Sequence, residues 1–449
     1  MTRRVGVLVG TGAAAVGLLV VTVAVLVHSH VTPAPEVPVS VPSTSVSVPA
    51  CRGPDACSVR SLAGTPVQVL PRSQAAEAAF YQPPSPPPDR PPGTLLRLER
   101  LSSGVRLPPG ARAWRMLYLS RTWSGAPTAV SGVVILPAGP SPSGGFPVLD
   151  YAHATTGLAA ACAPSRFTTL EIPSLPSFIG SRDAVVATDY PGLGTPGSSS
   201  YVVGRSEGQS VLDADRAARQ IPGARIGRRV VVLGYSQGGQ AALFAGQLAP
   251  AYAPAVDLLG VVAEAPAVQL PQLLVHLMSV ATFNGLVVTV AVAWSGAYPD
   301  LPITALLTPA ATSLDPVTAS GCETQIALAY HSLLPSAAFT GGALPTRPTT
   351  NPIWQELLEA NSPGGSPLTA PTLVVTGSAD TVLPTPLVSA YVDRACSIQH
   401  DPMAFDTFSG ATHGTITTDA ASTVSSFVAQ RLSGRPWPHR CTRRSISAP

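Results

Sequence analysis

A lone serine between glycines, where an apolar run gives way to a helix-forming one, is a pattern that can turn a hydroxyl into a nucleophile. In VVVLGYSQGGQAA, Val230 to Ala242, Ser236 holds that place. The preceding Arg228–Leu233 is a short β-branched run suited to a buried parallel strand, and Gln240–Leu248 is rich in small helix formers. A strand-to-helix turn this sharp strains the serine backbone and tolerates only small neighbours, a need that Gly234 and Gly238 meet. It lifts the hydroxyl above a sheet and leaves the Gln237 N–H at a helix N-terminus, facing a developing oxyanion. The competing reading is a solvated turn serine.

Such a serine needs a base and an acid to orient that base, in the chain order serine, acid, histidine for this kind of elbow. Three histidines lie late in the chain. His413 stands in FSGATHG, after the strand-like AFDTF and before the helical Thr418–Arg431, so a loop of small residues presents it at a sheet edge. His400 and His439 neighbour Pro402 and Pro438 in polar segments and read as solvated loop residues. Asp380 closes PTLVVTGSAD, where an apolar strand meets a Gly-Ser turn, and its carboxylate would emerge beside His413. Glu264, after the apolar Leu258–Ala263, is the competing acid; Asp406 falls inside what reads as the last strand. Upstream, FPVLDYAHATTGLAAACAPS reads as a strand followed by a small-residue loop, whose N–H groups at Ala154 or Thr155 would give a second oxyanion donor.

Taken together these pieces resemble the secretory lipase family over roughly residues 78–441. The resemblance rests on AFYQPP with PPGTLLR, LYLSRTWSGAPTAVSGVVILP, YAHATTG with CAPS, ATDYPGLGTPG, GYSQGGQAA, NPIWQELLEANSPG, TGSAD and GATHG, in that order. It implies an α/β-hydrolase fold and a triad of Ser236, Asp380 and His413, the same three residues reached from the local pattern. Two departures fall on the oxyanion side: Ala154 stands where the family usually has glycine, and Ser198–Ser200 replace a histidine often found after the DYPGLG turn.

The elements that must position these groups follow from the rest of the chain. With 449 residues, 45% apolar and 11% charged, the chain is long enough for a mostly parallel sheet with a sizeable core. A net charge of +3 with no basic patch interleaved with aromatics gives no reason to expect nucleic acid. Arg3 and Arg4 precede the uncharged Val5–Val27, which as a helix would span about 35 Å and cross a bilayer. Residues 1–30 are therefore expected to be an uncleaved membrane anchor rather than a cleaved signal, with the enzyme outside. Residues 31–77 read as a Pro/Ser/Val-rich linker with a small cysteine loop, 78–441 as the catalytic domain and 442–449 as a tail.

Residues 269–366 are too long for an ordinary connection and read as a helical cap inserted between the sixth and seventh core strands. Its apolar inner surface would bind acyl chains, and a mobile cap would open at a lipid surface. A second membrane span over Leu270–Trp294 is the other reading, opposed by Pro271, His276 and Asn284. Six cysteines in an exported chain suggest disulfides, with fifteen pairings possible. The expected ones are Cys51 with Cys57, Cys162 with Cys322, and Cys396 with Cys441. Metal-ligand spacings are missing, and the chemistry needs no cofactor. The expectation is an exported serine hydrolase cleaving carboxylic esters, most readily acylglycerols, through an acyl-Ser236 intermediate. The alternatives are a cell-envelope acyltransferase, a short-chain esterase and a non-catalytic surface-binding protein. No oligomeric state follows from the sequence.

Overall fold

The structure, a computed structural model, describes residues 58–60, 66–68, 74–101, 104–301, 303–313, 315–331, 351–438 and 440–447. The expected anchor Val5–Val27, the Cys51–Cys57 loop and His439 lie outside the described residues. Two short strands, β1 (Ser58–Arg60) and β2 (Pro66–Gln68), pair antiparallel as a separate ribbon.

The main sheet has ten strands in the order β12-β11-β10-β9-β8-β6-β7-β5-β4-β3. In chain order these are β3 (Leu95–Leu101), β4 (Arg112–Arg121), β5 (Pro127–Leu136), β6 (Phe146–Ala152), β7 (Ala184–Thr188) and β8 (Ile226–Tyr235). They continue with β9 (Asp257–Glu264), β10 (Thr372–Gly377), β11 (Met403–Ser409) and β12 (Thr442–Ser447). From β7 across to β12 every pairing is parallel, while β3, β4 and β5 form an antiparallel meander on the other side.

Alternation along β8 explains why its sequence is apolar from Val230 to Leu233. Val230 and Val232 join the cluster holding Ala241, Ala242 and Leu243 of the helix Gln237–Tyr252, whereas Val231 and Leu233 join Val424, Phe427 and Val428 of the helix Ala421–Leu432. Both faces are covered, so neither can be polar. The helix Gly204–Ala218 packs beside Gln237–Tyr252 at close range because a Cβ on Gly208 would lie 2.8 Å from the Ala245 nitrogen.

Between β9 and β10 the chain inserts a helical segment with its own apolar core. Counting β4–β11 as the central strands, this places it after the sixth and before the seventh. Leu270–Trp294 is not one span: helices Leu270–Met278 and Asn284–Ala297 are separated by a turn containing the short helix Ala281–Phe283. Each is too short to cross a bilayer, which takes about 20 residues, and no described helix is long and apolar enough to do so. Trp294 and Trp354 stack with ring centroids 5.7 Å apart inside this segment, and Trp294 donates to the Tyr201 carbonyl at 3.1 Å.

Two expectations need correction. Thr442–Ser447 is an edge strand rather than a tail, registered against Ala404–Ser409. Asp406 therefore lies on the penultimate strand, and its carboxylate takes the guanidinium of Arg444 from β12, with Arg444 Nε 2.8 Å away. An isolated carboxylate within a buried strand needs such a partner, and a cation from the neighbouring strand supplies it.

Candidate active site

The β8 strand ends at Tyr235 and the helix begins at Gln237, leaving Ser236 as the joint with φ 58° and ψ −117°. A non-glycine residue persists at positive φ only where its surroundings hold it there. Here the Ser236 N–H donates to the Glu264 carbonyl at 2.9 Å, and the Ser236 carbonyl accepts from Gln240 at 3.2 Å and Ala267 at 3.3 Å. A Cβ on Gly234 would lie 1.9 Å from the Gly238 oxygen, and one on Gly238 would lie 1.9 Å from the Ala152 oxygen. Glycine at 234 thus lets the helix start over the strand end, and glycine at 238 seats that helix against β6. The second contact draws the loop after β6 up to the serine.

Adjacent parallel strands β10 and β11 deliver the other two groups. Both end in short turns that are tied together: Ala379 N–H donates to the Ala411 carbonyl, and Gly410 N–H to the Ser378 hydroxyl, each at 2.9 Å. Asp380 Oδ2 lies 2.8 Å from His413 Nδ1, and His413 Nε2 lies 3.0 Å from Ser236 Oγ. The other carboxylate oxygen accepts from the Val382 and Leu383 N–H groups at 2.9 and 2.8 Å. A carboxylate at Nδ1 fixes the proton there and leaves Nε2 free to accept from the serine hydroxyl. Tyr235 Oη donates to the His413 carbonyl at 2.6 Å, holding the loop from below. Ser236, Asp380 and His413 are only 7%, 6% and 5% exposed, so a reactant reaches them through a cavity rather than from open solvent.

That cavity, of about 210 Å³, is lined by Ser236, Gln237, His413 and Thr155 at one side and by inserted-segment residues such as Leu274, Phe283 and Val290. Thr155 therefore shares the space with the serine. Ala154 does not; it lines a second cavity with His153 and Tyr235. Among the described residues Glu264 makes no hydrogen bond to His413: its backbone carbonyl holds Ser236, while burial pushes its carboxyl up to about 8. His400 is exposed at a left-handed turn, φ 58°, and among the described residues it makes no hydrogen bond to Ser236, Asp380 or His413.

Sequence reasoning missed Glu207. It sits in the first turn of Gly204–Ala218, fully buried, and its Oε1 accepts from Gln237 Nε2 at 2.6 Å and from the Val202 N–H at 2.9 Å. Burial raises its carboxyl to about 8. The side chain of Gln237 is thereby fixed from behind, leaving its backbone at the helix start. The readable signal was the glycine pair Gly204 and Gly208, which marks a helix face packed too closely for that glutamate to reach water. His153 is buried close by: it packs on Tyr190 with centroids 4.3 Å apart, and burial lowers its pKa.

Disulfides join Cys162 to Cys322 and Cys396 to Cys441. The first links the loop after β6 to the inserted segment, where Gly157 and Cys322 also form an isolated antiparallel bridge. No group of described residues could hold a metal ion.

Residues 167–439 match the model of the family described as secretory lipase. A probable inactive lipase of Mycobacterium tuberculosis (strain CDC 1551 / Oshkosh) is 30% identical over 205 residues, 42% of this chain and 44% of that protein. Lipase 5 of Candida albicans (strain SC5314 / ATCC MYA-2876) is 30% identical over 164 residues, covering 33% and 34% of the two chains. The matches span less than half the length of these curated relatives. The crystal structure of Candida antarctica lipase A superposes with a TM-score of 0.69 at 20% identity, covering 82% of this chain and 89% of that one. A likeness at that identity shows the α/β-hydrolase fold.

Proposed function

The chain belongs to the secretory lipase family, and from that premise we propose that it is an exported serine hydrolase that cleaves carboxylic esters of acylglycerol type. The observation that carries the reading is the hydrogen-bonded series Asp380, His413, Ser236 opening into an apolar cavity. Family membership and the two disulfides support export.

In the proposed reaction Ser236 Oγ attacks the ester carbonyl carbon while His413 Nε2 takes the hydroxyl proton. Asp380 stabilises the imidazolium that forms and keeps the ring in one orientation. Negative charge gathering on the carbonyl oxygen meets the N–H of Gln237 at the helix start, with Thr155 as the second donor and Ala154 the alternative. Collapse expels the alcohol, protonated by His413, and leaves an acyl-Ser236 ester. Water, deprotonated by His413, then attacks that ester and frees the acid and the serine.

Ser236→Ala tests the reading. It removes one hydroxyl and little packing, so hydrolysis of 4-nitrophenyl and acylglycerol esters should fall by at least about 10⁴-fold without a change in melting temperature. Fluorophosphonate should label the parent chain and not the variant. Turnover by the variant would overturn the assignment. In the parent, kcat/KM should rise about fourfold per methylene, from ~0.8 kcal/mol each, until the cavity is filled. Preference for the shortest esters would favour the esterase alternative.

A further inference from the structure

Most inserted-segment residues lining the cavity beside Ser236 are apolar; Thr282 and Thr289 add hydroxyls, and Glu323, which lines the same space as Thr155, Tyr201 and Gln237, adds the segment's one ionisable group among the described lining residues. We infer that Glu323 selects substrates carrying a hydroxyl close to the scissile ester, a specificity that rests on the hydrolase reading above.

Four features fix the residue at this wall. Cys322, its neighbour, is bonded to Cys162 and bridged to Gly157. The Glu323 N–H donates to the Thr156 carbonyl at 2.9 Å, and the Leu158 N–H to the Gly321 carbonyl at 3.2 Å. Glu323 is thus tethered to the loop whose next residue back, Thr155, lies in the cavity with Ser236. It opens the helix Glu323–His331, where negative charge is favoured. That preference accounts for an acidic residue on the outer face and not for one turned into a hydrocarbon-lined space.

Its carboxyl has no hydrogen-bond partner among the described residues, whereas the neighbouring Thr155 and Tyr201 hydroxyls satisfy each other at 3.1 Å. Burial, reinforced by Glu171, pushes the group up to about 8. Glu323 is half-buried; a carboxyl held against a largely apolar cavity without a protein partner is costly, and leucine there would serve a purely hydrocarbon ligand better. A substrate hydroxyl supplies the missing partner, since a carboxyl accepts from it in either protonation state and, when neutral, also donates to it. A site built around such a bond discriminates strongly against the analogue lacking the hydroxyl, because the protein group is then left unpaired.

The test uses the whole chain and two matched substrate pairs: 4-nitrophenyl hexanoate against its 3-hydroxyhexanoate, and hexyl hexanoate against monohexanoylglycerol. The parent should prefer the hydroxylated member of at least one pair by about tenfold or more in kcat/KM, the yield of one good hydrogen bond. The first pair reports a hydroxyl on the acyl chain, the second one on the alcohol. Glu323→Leu should abolish or reverse the preference while the plain esters are still cleaved, and Glu323→Gln should keep most of it. Should Glu323→Leu not fold, Glu323→Met carries the same expectation. Equal rates on both pairs in the parent, or a preference surviving in the apolar variant, would overturn the role of Glu323. Failure of the parent to cleave any of the four esters would instead overturn the hydrolase reading.

Discussion

A Cβ on Gly377 would lie 2.2 Å from the carbonyl oxygen of Ala411, so these two residues set how closely the turn bearing Asp380 lies on the turn bearing His413. The obstacle is backbone, which cannot rotate away. Gly377→Ala should therefore push the two turns apart. A misplacement of about 1 Å between such groups costs on the order of 100-fold in rate. Steady-state kinetics should show that loss in kcat with KM little changed, alongside a lower melting temperature. An unaltered kcat would mean the two turns are not what positions the pair.

Asp380 and Glu264 separate by what they touch. Asp380 holds His413 Nδ1 at 2.8 Å, whereas Glu264 holds the serine backbone through its own carbonyl. Asp380→Asn should lower kcat by about 10⁴-fold, the cost of a wrong imidazole tautomer. Glu264→Gln keeps the backbone bond and should leave kcat within about tenfold of the parent. Equal losses in the two variants would contradict the assignment of the acid.

Removing the Cys162–Cys322 link by a paired Cys162→Ala, Cys322→Ala exchange frees a loop with a sequence separation of 160 residues. Chain-entropy arguments put the loss near 5 kcal/mol, with about 2–4 kcal/mol typical of measured cases. Urea unfolding should show the shift. Fluorophosphonate labelling of Ser236 should persist in native buffer, because the hydrogen bonds joining Asp380, His413 and Ser236 involve neither cysteine.

Stability should fall as pH rises toward 8. Glu207 and Glu264 both go from an ordinary 4.5 to about 8 on burial, so between those values the folded chain keeps protons that the unfolded chain has released. His153 acts the other way: its lowered pKa makes the folded chain lose stability as pH drops below the ordinary 6.5. Melting temperatures taken from pH 6.5 to 8.5 should therefore decline, and Glu207→Gln should flatten the decline. Glutamine can still accept from Gln237 and Val202 while carrying no titrating proton. A slope unchanged in the variant would show that Glu207 is not part of it.

Much of this geometry was legible because local chemistry and tertiary role coincide. The turn at Ser236 needs small residues on both sides, and TGSAD and GATHG each place a functional group where an apolar strand stops, so the string itself marks the place. Glu207 was legible only through the spacing of Gly204 and Gly208, since its helix GRSEGQSVLDADRAA otherwise looks solvated and is almost wholly buried by neighbours distant in sequence. The edge strand Thr442–Ser447 was hidden for the opposite reason. Its residues are largely exposed and carry two arginines, and only pairing with β11 and the ion pair to Asp406 make it a strand. Ala154 and Thr155 could not be told apart by type, because which of two adjacent residues lines the cavity beside Ser236 depends on the path of the loop after β6, which packs against Gly238 of another element.

The inserted segment, considered as a mechanical part, is clamped at several points. Its first helix is fixed where His276 Nε2 meets the Thr381 carbonyl at 2.8 Å. Farther along, Trp294 and Ala297 are bonded to Tyr201 and Trp123, Cys322 is bonded to Cys162, and Asn361 accepts the Gly204 N–H at 3.0 Å. A swing of the whole segment would break all of these together. Between its first two helices runs a short span, Ser279–Phe283, whose Thr282 and Phe283 form part of the cavity wall. The cavity wall is thus riveted to loops that rise from the sheet, and those loops set its width as much as the segment itself does.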